Sequence, residues 1–122
     1  METRDPDGSH LVFEVTDPTG RRIILERDRW ERHIAARRPE LARHPGWIND
    51  ALCDPSFIYD SATNEDDRHY YLRLRKEAEG GLLFVKVVVR FDERLVGRVI
   101  TAHLASKVVS RRLLWISPKA LF

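Results

Sequence analysis

Cysteine is nearly absent from this chain of 122 residues. The single one, Cys53, excludes an internal disulfide and a multi-cysteine zinc site. Long apolar runs are missing too. Nothing approaches the ~20 residues that span a bilayer, so no integral membrane protein is expected. Met1–His10 is acidic and polar, without the apolar stretch of a secretory signal. The chain also lacks a Gly-rich phosphate loop, a nucleophile elbow and an HExxH helix. Its five histidines, His10, His33, His44, His69 and His103, never fall at a tight metal-ligand spacing. Asn64–Asp67 lacks the EF-hand ligand pattern and reads as a solvated turn. These absences leave neither a metal nor a cofactor to expect. Lysine is scarce as well: only Lys76, Lys86, Lys107 and Lys119 among 21 basic residues.

What is present is 43% hydrophobic and 33% charged sequence, enough for one soluble domain. A domain of this size buries roughly two thirds of its unfolded surface without a metal or disulfide staple. Residues 1–9 read as a flexible leader and 10–122 as a single domain, with a cytoplasmic location expected. The net charge of +2 conceals a block pattern. Residues 1–20 carry −4, 21–44 carry +4, 45–67 carry −6 and 68–122 carry +8. Such asymmetry favours a polar face that attracts an anion. Arginine dominates the basic set, and its planar fork suits phosphate and stacked bases.

Alternation and turn residues place the elements. His10–Val15 and Arg21–Leu25 form a hairpin around the Asp17-Pro18-Thr19-Gly20 turn. A helix follows, with Asp28 as cap, Glu31 as capping-box partner and Pro39 as its end or kink. If the helix runs on through Pro39, Trp30, Ile34 and Leu41 form its apolar stripe, and His33 borders the stripe beside Arg29 and Arg37. A second helix spans Pro45–Cys53, with Cys53 as a small buried hydrophobe, and Asp54-Pro55 stops it. Strands are expected over Phe57–Ala62, Arg68–Arg75, Leu82–Phe91 and Arg98–Ala105, joined by turns at Thr63–Asp67, Lys76–Gly81 and Glu93–Gly97. Leu113–Ile116 closes as an edge strand. A hairpin, then helices, then a meander describes an α+β fold with helices packed on an antiparallel sheet.

Period-two alternation then sorts the strand faces. Leu83, Val85, Val87, Val89 and Phe91 make one uniformly apolar face, leaving Leu82, Phe84, Lys86, Val88 and Arg90 opposite. Arg68, Tyr70, Leu72 and Leu74 share one side of their strand, with His69, Tyr71, Arg73 and Arg75 on the other. In Arg98–Ala105, Val99, Thr101 and His103 alternate with Arg98, Ile100, Ala102 and Leu104. If helices cover the apolar side, the opposite face gathers His69, Tyr71, Arg73, Lys86, Arg90, Thr101 and His103. One of Tyr70 and Tyr71 then belongs to the core and the other to a base-stacking platform. Those residue types suit RNA cleavage, in which the substrate brings its own nucleophile, the 2′-hydroxyl. Histidine serves as base or acid, cations stabilise the phosphorane, and hydroxyls orient it.

Several segments also fall in a known order. Ile23-Ile24-Leu25, Trp30-Glu31-Arg32-His33-Ile34, Arg38-Pro39-Glu40-Leu41 and Asp54-Pro55 come first. Arg68-His69-Tyr70-Tyr71, Leu83–Val89, Gly97–His103 and Leu114-Trp115 follow. In this order they resemble the phage-associated barnase/EndoU/colicin/RelE-like nuclease fold domains over about residues 21–116. The resemblance implies a RelE/barnase-like fold and a metal-independent endoribonuclease of the toxin or mobile-element effector type. A cognate antitoxin or immunity protein would restrain it. It implies His33, Arg68, Lys86 and Thr101 as catalytic, although strand alternation sets Arg68 on the face opposite Arg73. Members of that family often read His-Pro-Glu where this chain has Arg38-Pro39-Glu40. Arg29, Arg73, Tyr71, Arg90 and His103 are the expected RNA contacts. Two other readings suit the same features: a noncatalytic RNA-binding domain, and an interaction module recruiting a partner through Leu113–Ile116.

Overall fold

The computed structural model describes residues 11–74, 83–108 and 112–121. The expected leader and the turn at Lys76–Gly81 lie outside the described residues. Seven strands form one sheet: β1 (Leu11–Thr16), β2 (Arg22–Glu26), β3 (Phe57–Asp60), β4 (Asp67–Leu74), β5 (Leu83–Phe91), β6 (Gly97–Ala105) and β7 (Leu113–Ile116). Their order across the sheet is β1-β2-β6-β5-β4-β3-β7. The fold is α+β, but the sheet is mixed rather than antiparallel throughout, because β2 and β6 pair in parallel. The chain leaves β2, crosses the sheet through its helices and returns as the meander β3-β4-β5-β6. β6 thus reaches β2 running the same way, a pairing no local pattern encodes. β7 takes the far edge beside β3.

The N-terminal hairpin follows its turn chemistry. Gly20 has φ +96°, a conformation open to glycine, and the Asp17 side chain accepts the Thr19 and Arg21 amides. After β2 the chain winds into a wide π-helical segment, Arg29–Ala35. Asp28 does not cap it; the residue is itself helical and pairs with Arg32 at 3.1 Å, while Glu31 pairs with Arg27. Those i,i+4 pairs replace the expected capping box. The helix ends ahead of Pro39, one of the two outcomes expected there. Arg38 is extended, as a residue before proline prefers, and Pro39 opens a separate short helix, α1 (Pro39–Ala42). α2 covers Gly46–Cys53. Trp47 lies half-buried and stacked on His44, with ring centroids 3.9 Å apart. Cys53 is exposed instead of buried, because Ile48, Ala51 and Leu52 take the inward side of α2.

The helical layer covers one sheet face. Ile34, Leu41, Ile48 and Leu52 meet Ile23, Leu25, Ile58, Tyr70, Val85, Val87, Val89 and Ala102 in one core cluster. Trp30, Trp47 and Trp115 pack at its border. The β5–β6 junction is very tight. Opposite Phe91, a Cβ on Gly97 would sit 2.6 Å from Val89 Cγ1 and 2.9 Å from Phe91 Cε2. The connecting turn closes with Leu95 in the left-handed region at φ 65°.

One irregularity decides the faces of β6. Val88 pairs with Thr101, but Val89 pairs with Val99, so Ile100 is an extra residue in a bulge. Strict alternation puts Val99 beside Thr101 and His103. The bulge instead turns Val99 into the core, together with Ala102, and leaves Thr101 and His103 on the other side.

Candidate functional site

The sheet face turned away from the helices is a grid set by the ladder registers. One row runs Phe57, Tyr71, Lys86, His103 across β3, β4, β5 and β6. The next row runs Tyr59, His69, Val88, Thr101. Arg73, Phe84 and Ala105 flank the first row, and Asp67, Arg90 and Arg98 flank the second. Lys86 therefore has His103 directly beside it, with His69 and Thr101 at its diagonals. Direct cross-strand neighbours lie ~5 Å apart and diagonals ~7–8 Å. The alternation in β5 and β4, corrected by the bulge in β6, collects the polar set the sequence suggests.

Lys86 is half-buried within an otherwise apolar strand, with Nζ 5.7 Å from the Tyr71 ring centroid. A ring face eases the desolvation of an ammonium that has left bulk water. The same charge acts on both imidazoles. Burial foremost, then Lys86, holds the His69 proton affinity below its ordinary value, with His103 adding to this and Asp67 and Asp60 opposing it. His103 is lowered by burial, by Lys86 and by Arg38. Both side chains therefore favour the neutral form at pH 7. His69 Nδ1 is buried without a hydrogen-bond partner among the described residues. A buried nitrogen left unsatisfied is unusual in a folded protein, and perturbed groups of this kind concentrate at functional sites.

The other half of the grid is aromatic. Tyr59 meets Tyr71 edge to face at 5.9 Å, Tyr71 meets Phe84 at 5.9 Å, and Phe57 stands 6.1 Å from Tyr59. Tyr70 and Tyr71 are both fully buried, so Tyr71 is not an open platform. Its ring is enclosed by neighbours on its own face, which period-two counting does not reveal.

Arg68 belongs elsewhere. It shares the core side of β4 with Tyr70, as alternation requires, and reaches the buried carboxylate of Asp17 at 3.6 Å. Asp17 Oδ1 also accepts from the Thr19 hydroxyl, and Oδ2 accepts from the Tyr70 hydroxyl. Burial and that bond to Asp17 push the Tyr70 phenol far above its usual range. Arg68 and Arg21 both lie over the Phe91 ring, at 5.4 and 5.1 Å. This network borders a cleft of about 940 Å³, where Arg68, Arg112 and Asp60 line the wall. Two of its lining arginines are paired, Arg68 with Asp17 and Arg112 with Asp60.

The remaining expected residues scatter. His33 is exposed in the π-helical segment, whose neighbour Ile34 enters the core; no described contact joins it to Lys86 or Thr101. Arg29 lies half-buried in that segment. Arg90 shares the grid, but its fork is held by Asp67 at 2.7 and 3.1 Å, which raises its proton affinity. Asp67 is thus a buried partner at the start of β4 rather than part of a solvated turn. Arg73 is exposed on the grid. His69 was missing from the residues expected to act, although alternation had already placed it on this face. Its cue was alternation, which sets a histidine and a lysine on the same face of the two strands that the register then makes neighbours.

Among the described residues, no group of three or more His, Cys, Asp or Glu stands close enough to hold a metal ion, and no helix is long and apolar enough to cross a membrane. No protein-family model, curated protein or solved structure matches this chain.

Proposed function

We propose that the protein is a metal-independent endoribonuclease acting at the Lys86 face. The observation that carries this reading is Lys86 flanked on both neighbouring strands by histidines whose proton affinity it lowers. In this reading the substrate phosphate lies over Lys86, with one imidazole on either side. His103 sees only cations and is the base: it takes the proton of the ribose 2′-hydroxyl. The 2′-oxygen attacks phosphorus, the P–O2′ bond forms and the P–O5′ bond breaks. His69, whose proton affinity Asp67 and Asp60 raise against burial and Lys86, acts as the acid from its protonated minority form. It gives that proton to the leaving 5′-oxygen, so turnover rises as pH falls toward its titration. Lys86 stabilises the phosphorane charge from a half-dehydrated position, where an ammonium acts more strongly than in water. Thr101 orients a phosphate oxygen, and Arg73 holds a neighbouring phosphate. Restraint by an antitoxin or immunity protein belongs to the same reading.

The test is cleavage of RNA by purified protein in EDTA, with product ends identified by mass spectrometry. Wild type leaves a 2′,3′-cyclic phosphate and a 5′-hydroxyl. His103→Ala and Lys86→Met each lower turnover by about two orders of magnitude, and His33→Ala by no more than a few-fold. Intact RNA at high concentrations of folded wild type rejects the reading, as does a fully active His103→Ala. A collapse in His33→Ala alone moves the chemistry to the helical layer. RNA binding without cleavage would instead favour the noncatalytic alternative.

A further inference from the structure

The grid is divided. Its β5–β6 half carries Lys86, His103 and Thr101 with Phe84 at the end, and its β3–β4 half carries Phe57, Tyr59 and the enclosed Tyr71 with Arg73 at the end. His69 sits at the seam, directly paired with Tyr59 and diagonal to Lys86. Strands are spaced ~4.8 Å, so two steps separate the Tyr59 strand from the Lys86 strand by ~10 Å. An unpaired nucleotide matches that division, with an anionic phosphate at one end and a flat aromatic base at the other. Base-paired RNA does not, because its bases are stacked inside the duplex and their faces are covered.

We propose that the substrate is single-stranded RNA and that Tyr59 is the residue on which the base next to the reacting phosphate stacks. This deepens the ribonuclease reading and rests on it for the position of the phosphate. Three observations select Tyr59. It is half-buried, whereas Tyr71 is wholly enclosed, so its ring retains accessible surface. Edge-to-face packing on Tyr71 and contact with Phe57 hold its ring in place, so little side-chain freedom is lost on binding. Its direct pairing with His69 sets it one strand step from the histidine that lies diagonal to Lys86. Stacking on an aromatic ring tolerates any base, so the device selects strandedness more than sequence.

The experiment measures binding, which separates this proposal from the cleavage reading. A fluorescein-labelled hexanucleotide with 2′-O-methyl riboses resists 2′-hydroxyl attack and serves as probe. Tyr59→Leu weakens its binding about tenfold, while Tyr59→Phe and Tyr59→Trp stay within about twofold of wild type. The same probe with all bases removed binds wild type and Tyr59→Leu equally, which shows that the variant is folded and keeps its phosphate contacts. A fully paired duplex of the same length binds more weakly than the single strand and ignores the Tyr59 substitutions. Equal binding of the intact single strand by wild type and Tyr59→Leu overturns the proposal. So does a Tyr59→Phe variant as weak as Tyr59→Leu, or a duplex bound as tightly as the single strand. A wild type that shows Tyr59-dependent binding but never cleaves unmodified RNA rejects the ribonuclease reading and leaves the stacking site standing. Cleavage with no Tyr59 effect on binding does the reverse.

Discussion

Arg68 and Lys86 are both cations on neighbouring strands, yet they face opposite sides of the sheet and do opposite work. Arg68 neutralises Asp17, a carboxylate whose side chain is fully buried and which also accepts from Tyr70. Removing one partner of such a set leaves a buried acceptor short of donors, at a cost of about 1–3 kcal/mol for a hydrogen bond and more for a charge. Tyr70→Phe is therefore expected to lower unfolding free energy by about 1–3 kcal/mol, and Arg68→Ala by at least as much, in urea titrations. Lys86 has no carboxylate partner within ion-pair distance among the described residues, so Lys86→Met leaves stability nearly unchanged. Unaltered urea midpoints for Tyr70→Phe and Arg68→Ala would refute the structural role given to the Asp17 network.

Among the elements, β5 and β6 bring Lys86, Thr101 and His103 to one face because their junction is both close and irregular. Gly97 permits the close approach: Val89 and Phe91 already occupy the space a side chain would need. Gly97→Ala pushes on two core side chains and should cost about 1–3 kcal/mol, the usual range for overpacking. A thermal melt of the variant matching wild type would show that the strands can separate freely. The Ile100 bulge matters for the opposite reason. Without its extra residue, β6 would continue in strict alternation, and Thr101 and His103 would turn to the same side as Val99, into the core. Deleting one residue at this bulge would exchange the two faces of the strand.

For the whole molecule, the lowered histidines link the site to stability. His69 and His103 bind protons less readily folded than unfolded. Their contribution is fully present above the ordinary histidine value of about 6.5 and is lost as pH falls through it toward their lower folded values. Urea titrations from pH 8 to pH 5 should show a decline in unfolding free energy over the lower part of this range. Lys86→Met should shrink that decline, because one cause of the lowering is gone. A flat profile would mean that neither imidazole is held neutral by the fold.

The strands, the turn at Asp17–Gly20, the edge position of Leu113–Ile116 and the apolar side of β5 were legible in the chain itself. Each rests on a local rule: the pleat repeats every two residues, and a tight turn needs particular backbone angles. Alternation also put Arg68 on the core side and set His69, Lys86 and Arg73 together, before any contact was known. Local signals do not show that Asp28 leaves the cap position, that Leu41 belongs to a separate helix opened by Pro39, or that Cys53 is exposed. There, nearby arginines, a proline-restricted residue and the choice of inward face on α2 outweighed the local signal. Only the tertiary structure decided that β2 and β6 run parallel, that Ile100 is an extra residue, that Tyr71 is enclosed and that His33 stands apart from Lys86. These depend on which distant segments pair and what covers them. The free energy of such choices comes from burying the whole core at once, and no short stretch of sequence contains it.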